Sequence, residues 1–420
     1  MPTPSQLKPS PGHVAARRST TYRRTSFPYV ILGAGCAGLS LAWHLVELGV
    51  QEPILLVDRR ERFDNDRTWC YWGVEPTPFD DLATHAWTRW RVADGRREVV
   101  AGCPEYPYLR LCAGDFYRRV LDRLAAAPNV SMALGRPVLG VRETPRGVVV
   151  ATADRDYRGG RVFDSSGRGT RPTPALGGAR LLQHFLGQTV RAHRPSFDPS
   201  TPTLMDFRTP QADGPHFLYV LPLSATEALV ENTYLHPFSL DADRHRREVA
   251  AYLRDRHGLG PGDYAVTAEE AGAIPMAVGR RASTAGSRIV PIGLAGGAAR
   301  PSSGYAFLRI QRQTRRLAEA VAEGVEPPRP PLAALKYDAL DAIFLRVLAD
   351  RPELAPSIFA RLFAEADPAA VVRFLSERST PADDLRIVAA LPKWPFVVGA
   401  IRAARRAFHD SAPPGRRKRS

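Results

Sequence analysis

Apolar positions along this chain follow two rhythms, and the first is a short strand rhythm near the N-terminus. Tyr29-Val-Ile-Leu-Gly33-Ala-Gly35-Cys-Ala-Gly38 is an apolar run entering a glycine turn, and Leu39 to Leu48 continues as a helix-like stretch. Ile54-Leu-Leu-Val-Asp58 then reads as a second buried strand with a carboxylate at its end. Continuous apolar runs bounded by turn residues mark buried strands, whereas spacings of three and four mark helices. The result is a predicted strand–helix–strand unit of about thirty residues. Phe116, Val120, Leu121 and Leu124 line one face of a predicted helix over Asp115 to Ala127. Val148 to Ala151 reads as a strand, and Val162-Phe-Asp164-Ser-Ser-Gly167 as another that ends at a glycine turn.

In the middle of the chain the pattern changes to short alternating strands. Phe217 to Leu221 and Glu227 to Thr233 flank a turn that begins Pro222-Leu-Ser, which predicts a hairpin. His245 to Arg256 is a predicted helix, Ile289 to Ile292 a strand opening on Gly293-Leu-Ala-Gly296-Gly297, and Ser303 to Val321 a helix. A proline-rich break spans Glu326 to Pro331, and from Leu335 to about Arg406 the pattern is helical throughout. Three strands therefore end at glycines, near Gly35, Gly167 and Gly296. That order favours an FAD fold over an NAD fold, split by an inserted sheet. The expected class is α/β: an FAD-binding Rossmann-like, three-layer fold with an interleaved antiparallel-sheet substrate domain and a helical C-terminal region. The expected boundaries are a basic tail over 1–26, the nucleotide fold over 27–330 with its insert at about 170–275, helices over 331–406, and a basic tail over 407–420.

The glycine spacing carries specific chemistry. In a Gly-x-Gly-x-x-Gly turn, Gly33 permits the tight turn, Gly35 lets backbone approach a pyrophosphate, and Gly38 lets the helix pack on the strand. The helix N-terminus offers unpaired N–H groups and a favourable dipole to phosphate. Asp58 stands twenty residues after Gly38, where a carboxylate reaches a ribose hydroxyl. Gly293, Gly296 and Gly297 form a second candidate cofactor turn.

Charge adds a partner question. The chain of 420 residues carries a net +15, with much of the excess at its ends, including Arg416-Arg417-Lys418-Arg419. The first 26 residues, rich in Ser, Thr and Pro, read as disordered. Basic tails suit solubility, an anionic membrane surface or nucleic acid. No aromatic-and-basic RNA motif or zinc spacing accompanies them, so nucleic acid is not an expected partner. Four cysteines without metal spacing point to a reducing cytosol and no metal.

Several segments resemble the lycopene β-cyclases, particularly bacterial members. They are Arg67-Thr-Trp69, Phe217-x-Tyr-x-Leu-Pro-Leu223 with Leu229-Val-Glu231-Asn-Thr233, Glu269-Glu270-x-Gly-x-Ile-Pro-Met276, and Gly293 through Phe307. Arg373-Phe-Leu-x-Glu377 and Ala390-Leu-Pro-Lys393 resemble that family's C-terminal helices. The family usually has two adjacent acids in its central motif; here Asn232 holds the second position. Leu294 stands where many redox flavoproteins place an acid, and the cyclases also tend to be apolar there.

The resemblance implies a non-redox isomerisation, by an isomerase (an intramolecular lyase), of the acyclic ψ-ends of lycopene or another acyclic-ended carotene. The products are β-ionone rings, hence γ- and/or β-carotene. It also implies reduced FAD as cofactor, NAD(P)H as reductant and a peripheral, membrane-associated position in the cytoplasm. Protonating an alkene needs a dry, positioned acid, and desolvation keeps a glutamic acid neutral. Glu231 is the first catalytic candidate, with the reduced flavin itself as the alternative proton donor. Glu270 is the second, with an arginine salt bridge or flavin binding as its competing roles. Trp69, Tyr71, Trp72, Phe217 and Tyr219 are candidates for a cation-accepting tunnel or for ordinary core. The rival functions are a flavin-dependent monooxygenase, halogenase or isoprenoid reductase on the same fold, and a non-enzymatic carrier.

Overall fold

Side-chain alternation along Ser26–Leu32 decides the layering of the nucleotide fold. In the computed structural model, which describes residues 14–15, 24–169, 181–278, 286–327 and 332–411, Ile31, Ile54 and Leu56 pack on one face against Leu39, Leu45, Phe116 and Leu317. Val30, Leu32, Leu55 and Val57 pack on the other face against Val148 and Val150. One face is thus covered by the helices Cys36–Glu47, Ala113–Ala125 and Phe307–Ala322. The other is covered by the antiparallel strands Val138–Thr144 and Gly147–Thr152, which makes three layers. The central layer is parallel, in the spatial order Val130–Ala133, Ile54–Val57, Ser26–Leu32, Asp156–Asp164, Ile289–Pro291.

The fingerprint helix begins at Cys36, three residues before the expected Leu39, with Gly35 as its N-cap. Glycines in its first turn therefore serve packing rather than ending a loop: a Cβ on Gly38 would lie 1.8 Å from the Gly33 carbonyl oxygen. Gly33 has φ +94°, which only glycine adopts readily. The helix expected from Ser303 begins at Phe307, because Pro301 to Ala306 closes a turn in which the Gly304 N–H donates to the Arg300 carbonyl.

The second sheet is wider than the expected insert. Its order is Tyr264–Met276, Leu181–Ala192, Glu227–His236, His216–Pro222, Thr203–Asp206, Arg89–Ala93, Glu98–Gly102, so two strands come from well before residue 170. The hairpin His216–Pro222/Glu227–His236 is present as expected. Helix Ala242–His257 covers its back, where Val249 and Leu253 meet Val190, Val220 and Val230. Its front faces a three-stranded sheet formed by Thr68–Trp72, Tyr108–Cys112 and Ala83–Trp87, together with the C-terminal helices.

Those helices are Leu332–Asp350, Ala355–Glu365, Pro368–Leu375, Pro381–Ala390 and Lys393–Ser411, the last running beyond the expected end near Arg406. Leu362, Phe363, Val372 and Ile387 pack with Leu204, Leu221 and Leu229 of the sheet. A buried Arg300–Asp341 ion pair at 3.2 Å ties the Gly293–Phe307 turn to this region. Most of the N-terminal tail and residues 412–420, where disorder or a basic tail was expected, lie outside the described residues. Val14–Ala15 is described, paired with Arg62–Phe63. Of the proline-rich break, 328–331 lie outside as well.

Candidate active site

A cavity of about 530 Å³ lies between the fingerprint turn and the front of the second sheet. Gly35, Cys36 and Ala37 border one end, and Glu231, Glu270 and Tyr219 stand along its sheet wall. Sheet register explains the wall. Tyr219 is opposite Glu231, Glu231 is opposite Gly187, and Gly187 is opposite Glu270 on its other side. Residues directly opposite across neighbouring strands share a face, so these four form one row that faces the cavity. Residues 231 and 232 point to opposite faces, because side chains alternate along a strand. Asn232 is fully buried on the back, where it donates to Glu248 Oε2 at 2.7 Å and its carbonyl oxygen meets His216 Nε2 at 2.5 Å. Whatever residue 232 is, it does not reach the cavity. Glu269 is likewise turned away and pairs with Arg246 at 2.6 Å, while Glu270 faces in.

The two cavity carboxyls differ in surroundings. Glu231 accepts from the Thr233 hydroxyl at 2.9 Å. Burial, then the nearby Glu270 charge, push its pKa up to about 8, against a small opposing effect of Thr233. Its side chain is partly accessible and lines the cavity. Glu270 accepts from the Thr68 hydroxyl at 3.0 Å. Burial raises its pKa as well, but Thr68, Arg110 and Arg67 act to lower it. The arginine pairing weighed as its competing role is represented by the nearby charges of Arg110 and Arg67, beside the Thr68 hydrogen bond.

Of the aromatic candidates, Trp69, Phe217 and Tyr219 line the cavity. Tyr71 and Trp72 are core residues: Tyr71 stacks on Phe307 at 4.6 Å and donates to Asp80 at 2.7 Å, and Trp72 packs on Trp90. The sequence reading missed Tyr108 and Tyr305, whose hydroxyls meet at 3.3 Å, with Tyr108 also 2.9 Å from Tyr219. These phenols converge from three separate segments, so no local pattern announces them.

At the other end of the cavity the residues suit a dinucleotide. A Cβ on Gly35 would meet nothing within 4 Å, and the helix it caps has no side-chain cap hydrogen bond, as a phosphate-binding helix N-terminus requires. Asp58 ends its strand beside this turn, with its carboxylate accepting from the backbone N–H of Ala34 at 2.5 Å and of Arg60 at 2.7 Å. Arg60, also missed, donates to the Ala34 carbonyl at 2.6 Å and lies 4.7 Å over the Phe63 ring. An arginine two residues beyond a strand-end acid was the available signal. Gly293 and Leu294 line the cavity. Gly296 is a packing glycine instead, since a Cβ there would sit 2.4 Å from the Pro291 carbonyl oxygen. Gly297 has no neighbour within 4 Å of a Cβ, but is not part of the cavity wall. The helix after this turn, expected from Ser303, has its N-terminus at Phe307, which borders the cavity.

Solved structures share this architecture. A geranylgeranyl bacteriochlorophyll reductase-like protein from Thermoplasma acidophilum superposes with TM-score 0.59 at 12% identity, over 89% of this chain and 98% of that one. A flavoprotein/dehydrogenase from Cytophaga hutchinsonii gives 0.61 at 13%, over 91% and 100%. At this identity they establish the FAD-type Rossmann-like fold alone. Sequence relatives are more specific. A lycopene beta-cyclase of Pseudescherichia vulneris is 28% identical over 92% of this chain and 99% of its own length. One from Paracoccus sp. is 31% identical over 56% and 62%. The family described as lycopene cyclase protein matches residues 29–400. The chain is therefore a member of the lycopene cyclase family.

Proposed function

We propose that this protein is a lycopene β-cyclase that uses reduced FAD, and that Glu231 is its proton donor. The observation that carries this reading is Glu231 itself: a carboxyl on an apolar cavity wall, with no cation contributing to its pKa shift, favoured in its neutral form near pH 7. Leu204, Met205, Phe217, Leu229 and Phe363 make the surrounding wall suited to a hydrocarbon. Thr233 donates to Oε1, which leaves Oε2 to carry the proton and fixes the plane of the carboxyl. Proton delivery to the terminal alkene of an acyclic carotene end generates a tertiary cation, which the next alkene attacks to close the ring. Loss of a neighbouring proton completes an isomerisation without net redox change. Tyr219 and Trp69 present aromatic faces that favour positive charge in the cavity.

Gly33, Gly35, the first turn of helix Cys36–Glu47, Asp58 and Gly293 would hold the FAD, with NAD(P)H as its reductant. Reduced FAD, when bound, supplies an electron-rich ring that stabilises positive charge electrostatically. In a lycopene-accumulating host, the expected pigment is γ- or β-carotene with the mass of lycopene. Purified protein is expected to use far less than one reductant per ring. A product of altered mass, or one reductant per turnover, would instead support a monooxygenase, halogenase or reductase.

The substrate dissolves in bilayers, and we assign the docking face to helices Pro381–Ala390 and Lys393–Ser411. Among the described residues no single helix is long and apolar enough to cross a membrane. These two, bent by 113°, expose Leu385, Val388, Trp394, Val397 and Ile401. Arg386, Lys393, Arg402 and Arg405 are exposed on the same two helices, while Asp383 is buried against Arg373. Apolar residues among cations fit an anionic lipid headgroup layer on the cytoplasmic side. Replacing Trp394 and Ile401 together by Ser is expected to weaken binding to anionic vesicles by about tenfold or more, since each buried methylene contributes about 0.8 kcal/mol. Unchanged vesicle co-sedimentation would remove this face from the membrane contact.

A further inference from the structure

Ring closure needs two proton transfers, and the row across the sheet holds two carboxyls. Glu231 and Glu270 stand on strands that flank the same residue, Gly187. Neighbouring strands lie about 4.8 Å apart, so the two backbones are about 10 Å apart, with a residue lacking a side chain on the strand between them. A Cβ on Gly187 would come within 3.0 Å of the Leu229 side chain and 3.4 Å of Glu231 Cβ. The glycine thus leaves room for the Leu229 side chain and the Glu231 stem to lie over its strand between the two acids. Their settings separate them chemically. Glu231 has only the Thr233 hydroxyl to favour its charged form and the Glu270 charge to oppose it, whereas Glu270 has the Thr68 hydroxyl at 3.0 Å and the charges of Arg110 and Arg67 nearby. Where two carboxyls share a site, the one with cations and donors ionises and the other keeps the proton.

Resting on the cyclase reading above, we infer that Glu270 is the base that removes the final proton, and that its position selects which ring isomer forms. The steps balance as follows. The Glu231 O–H bond breaks as a C–H bond forms on the terminal alkene. The π pair of the second alkene then forms the ring C–C bond, leaving a tertiary cation on the ring. Three kinds of adjacent carbon carry a removable proton: the ring carbon bearing the polyene, the ring methylene, and the methyl group. Their loss gives the β-ring, the ε-ring and an exocyclic methylene respectively. Glu270 takes the proton from the ring carbon bearing the polyene, and the C–H electrons become the ring double bond. One proton has then moved from Glu231 to Glu270, and exchange with solvent resets both, so the sum is an isomerisation.

The test is Glu270→Gln in the full-length, flavin-loaded protein, with products resolved by chromatography and NMR. The expected result is wild-type flavin content, a loss of β-ring formation of about 10²-fold, and a higher share of ε- or exocyclic-methylene rings among the product that remains. Glu270→Asp is expected to recover part of the rate and the β share. Thr68→Val, which removes the hydroxyl donor and keeps the side-chain shape, is expected to move the product ratio the same way by a smaller amount. If Glu270→Gln fails to retain flavin, Thr68→Val alone decides. A β share unchanged from wild type in the flavin-loaded variants overturns the assignment. A loss of rate with no change in product ratio does the same, since a merely structural role lowers all rings alike. Failure of the wild-type protein to form any isomeric ring sinks the cyclase reading itself and is seen in the control.

Discussion

Replacing Glu231 by Gln is expected to reduce ring formation by at least about 10²-fold, the lower scale for loss of a general acid. The amide keeps the size of the side chain and still accepts from Thr233, but has no carboxyl proton. Fold and flavin binding should survive, because the cofactor turn lies on a different sheet. The pH profile is an independent readout. Burial and the Glu270 charge raise the Glu231 pKa to about 8 in the folded protein, from the ordinary carboxyl value of 4.5. The protonated, active form therefore prevails below about pH 8, and the rate should fall as pH rises through that value. Stability follows the same sign. A folded-state pKa above the unfolded one means that the native protein binds the extra proton. The contribution is fully present below about 4.5 and is lost as pH rises towards about 8. The Glu231 contribution to both slopes should be absent in Glu231→Gln. Near-normal cyclisation by a flavin-loaded Glu231→Gln protein would show that another group donates the proton. Asn232→Asp should change the rate little, because residue 232 faces helix Ala242–His257 and not the cavity.

Gly35→Val is expected to abolish FAD binding while leaving the apoprotein folded. Gly35 has φ −81°, which valine tolerates, and a Cβ there meets no protein atom within 4 Å. The new side chain would project into the space that the dinucleotide pyrophosphate needs. The contrast with Gly38 sharpens the test. A side chain at Gly38 collides with the Gly33 carbonyl and the Ile31 side chain, so Gly38→Val should lose the fold together with the flavin. Flavin absorbance after purification and the circular dichroism of the apoprotein separate the two outcomes. A yellow Gly35→Val protein of normal flavin content would contradict the placement of the cofactor.

Local pattern was sufficient for the strand–helix–strand unit of the nucleotide fold because its signals are local, whereas the strands Val130–Ala133 and Val138–Thr144 of the same sheet were not read from it. The Gly33–Gly38 spacing, the buried strand ending at Asp58 and the helical register of Phe116, Val120 and Leu124 each lie within a few turns of chain. The C-terminal helices were legible for the same reason. Strands Leu181–Ala192 and Tyr264–Met276 were not. Tyr264–Met276 lies at the sheet edge and is largely exposed, so it lacks the apolar alternation of a half-buried strand. Likewise, nothing near residues 89–102 shows that those strands extend a sheet built mostly from residues beyond 180. Their pairing with Thr203–Asp206 is a long-range contact.

The site divides along the same line. Glu231 and Glu270 were readable as candidates from their motifs, and the choice of Glu270 over Glu269 was a matter of strand phase. The difference between their surroundings was not readable, because Thr68, Arg67 and Arg110 reach Glu270 from a distant segment of the chain. The sequence by itself determined the residue types, the cofactor turn and the family motifs. Only the tertiary structure decided that Tyr219, Glu231, Gly187 and Glu270 share one row, because register between strands distant in sequence is set by packing and not by local propensity.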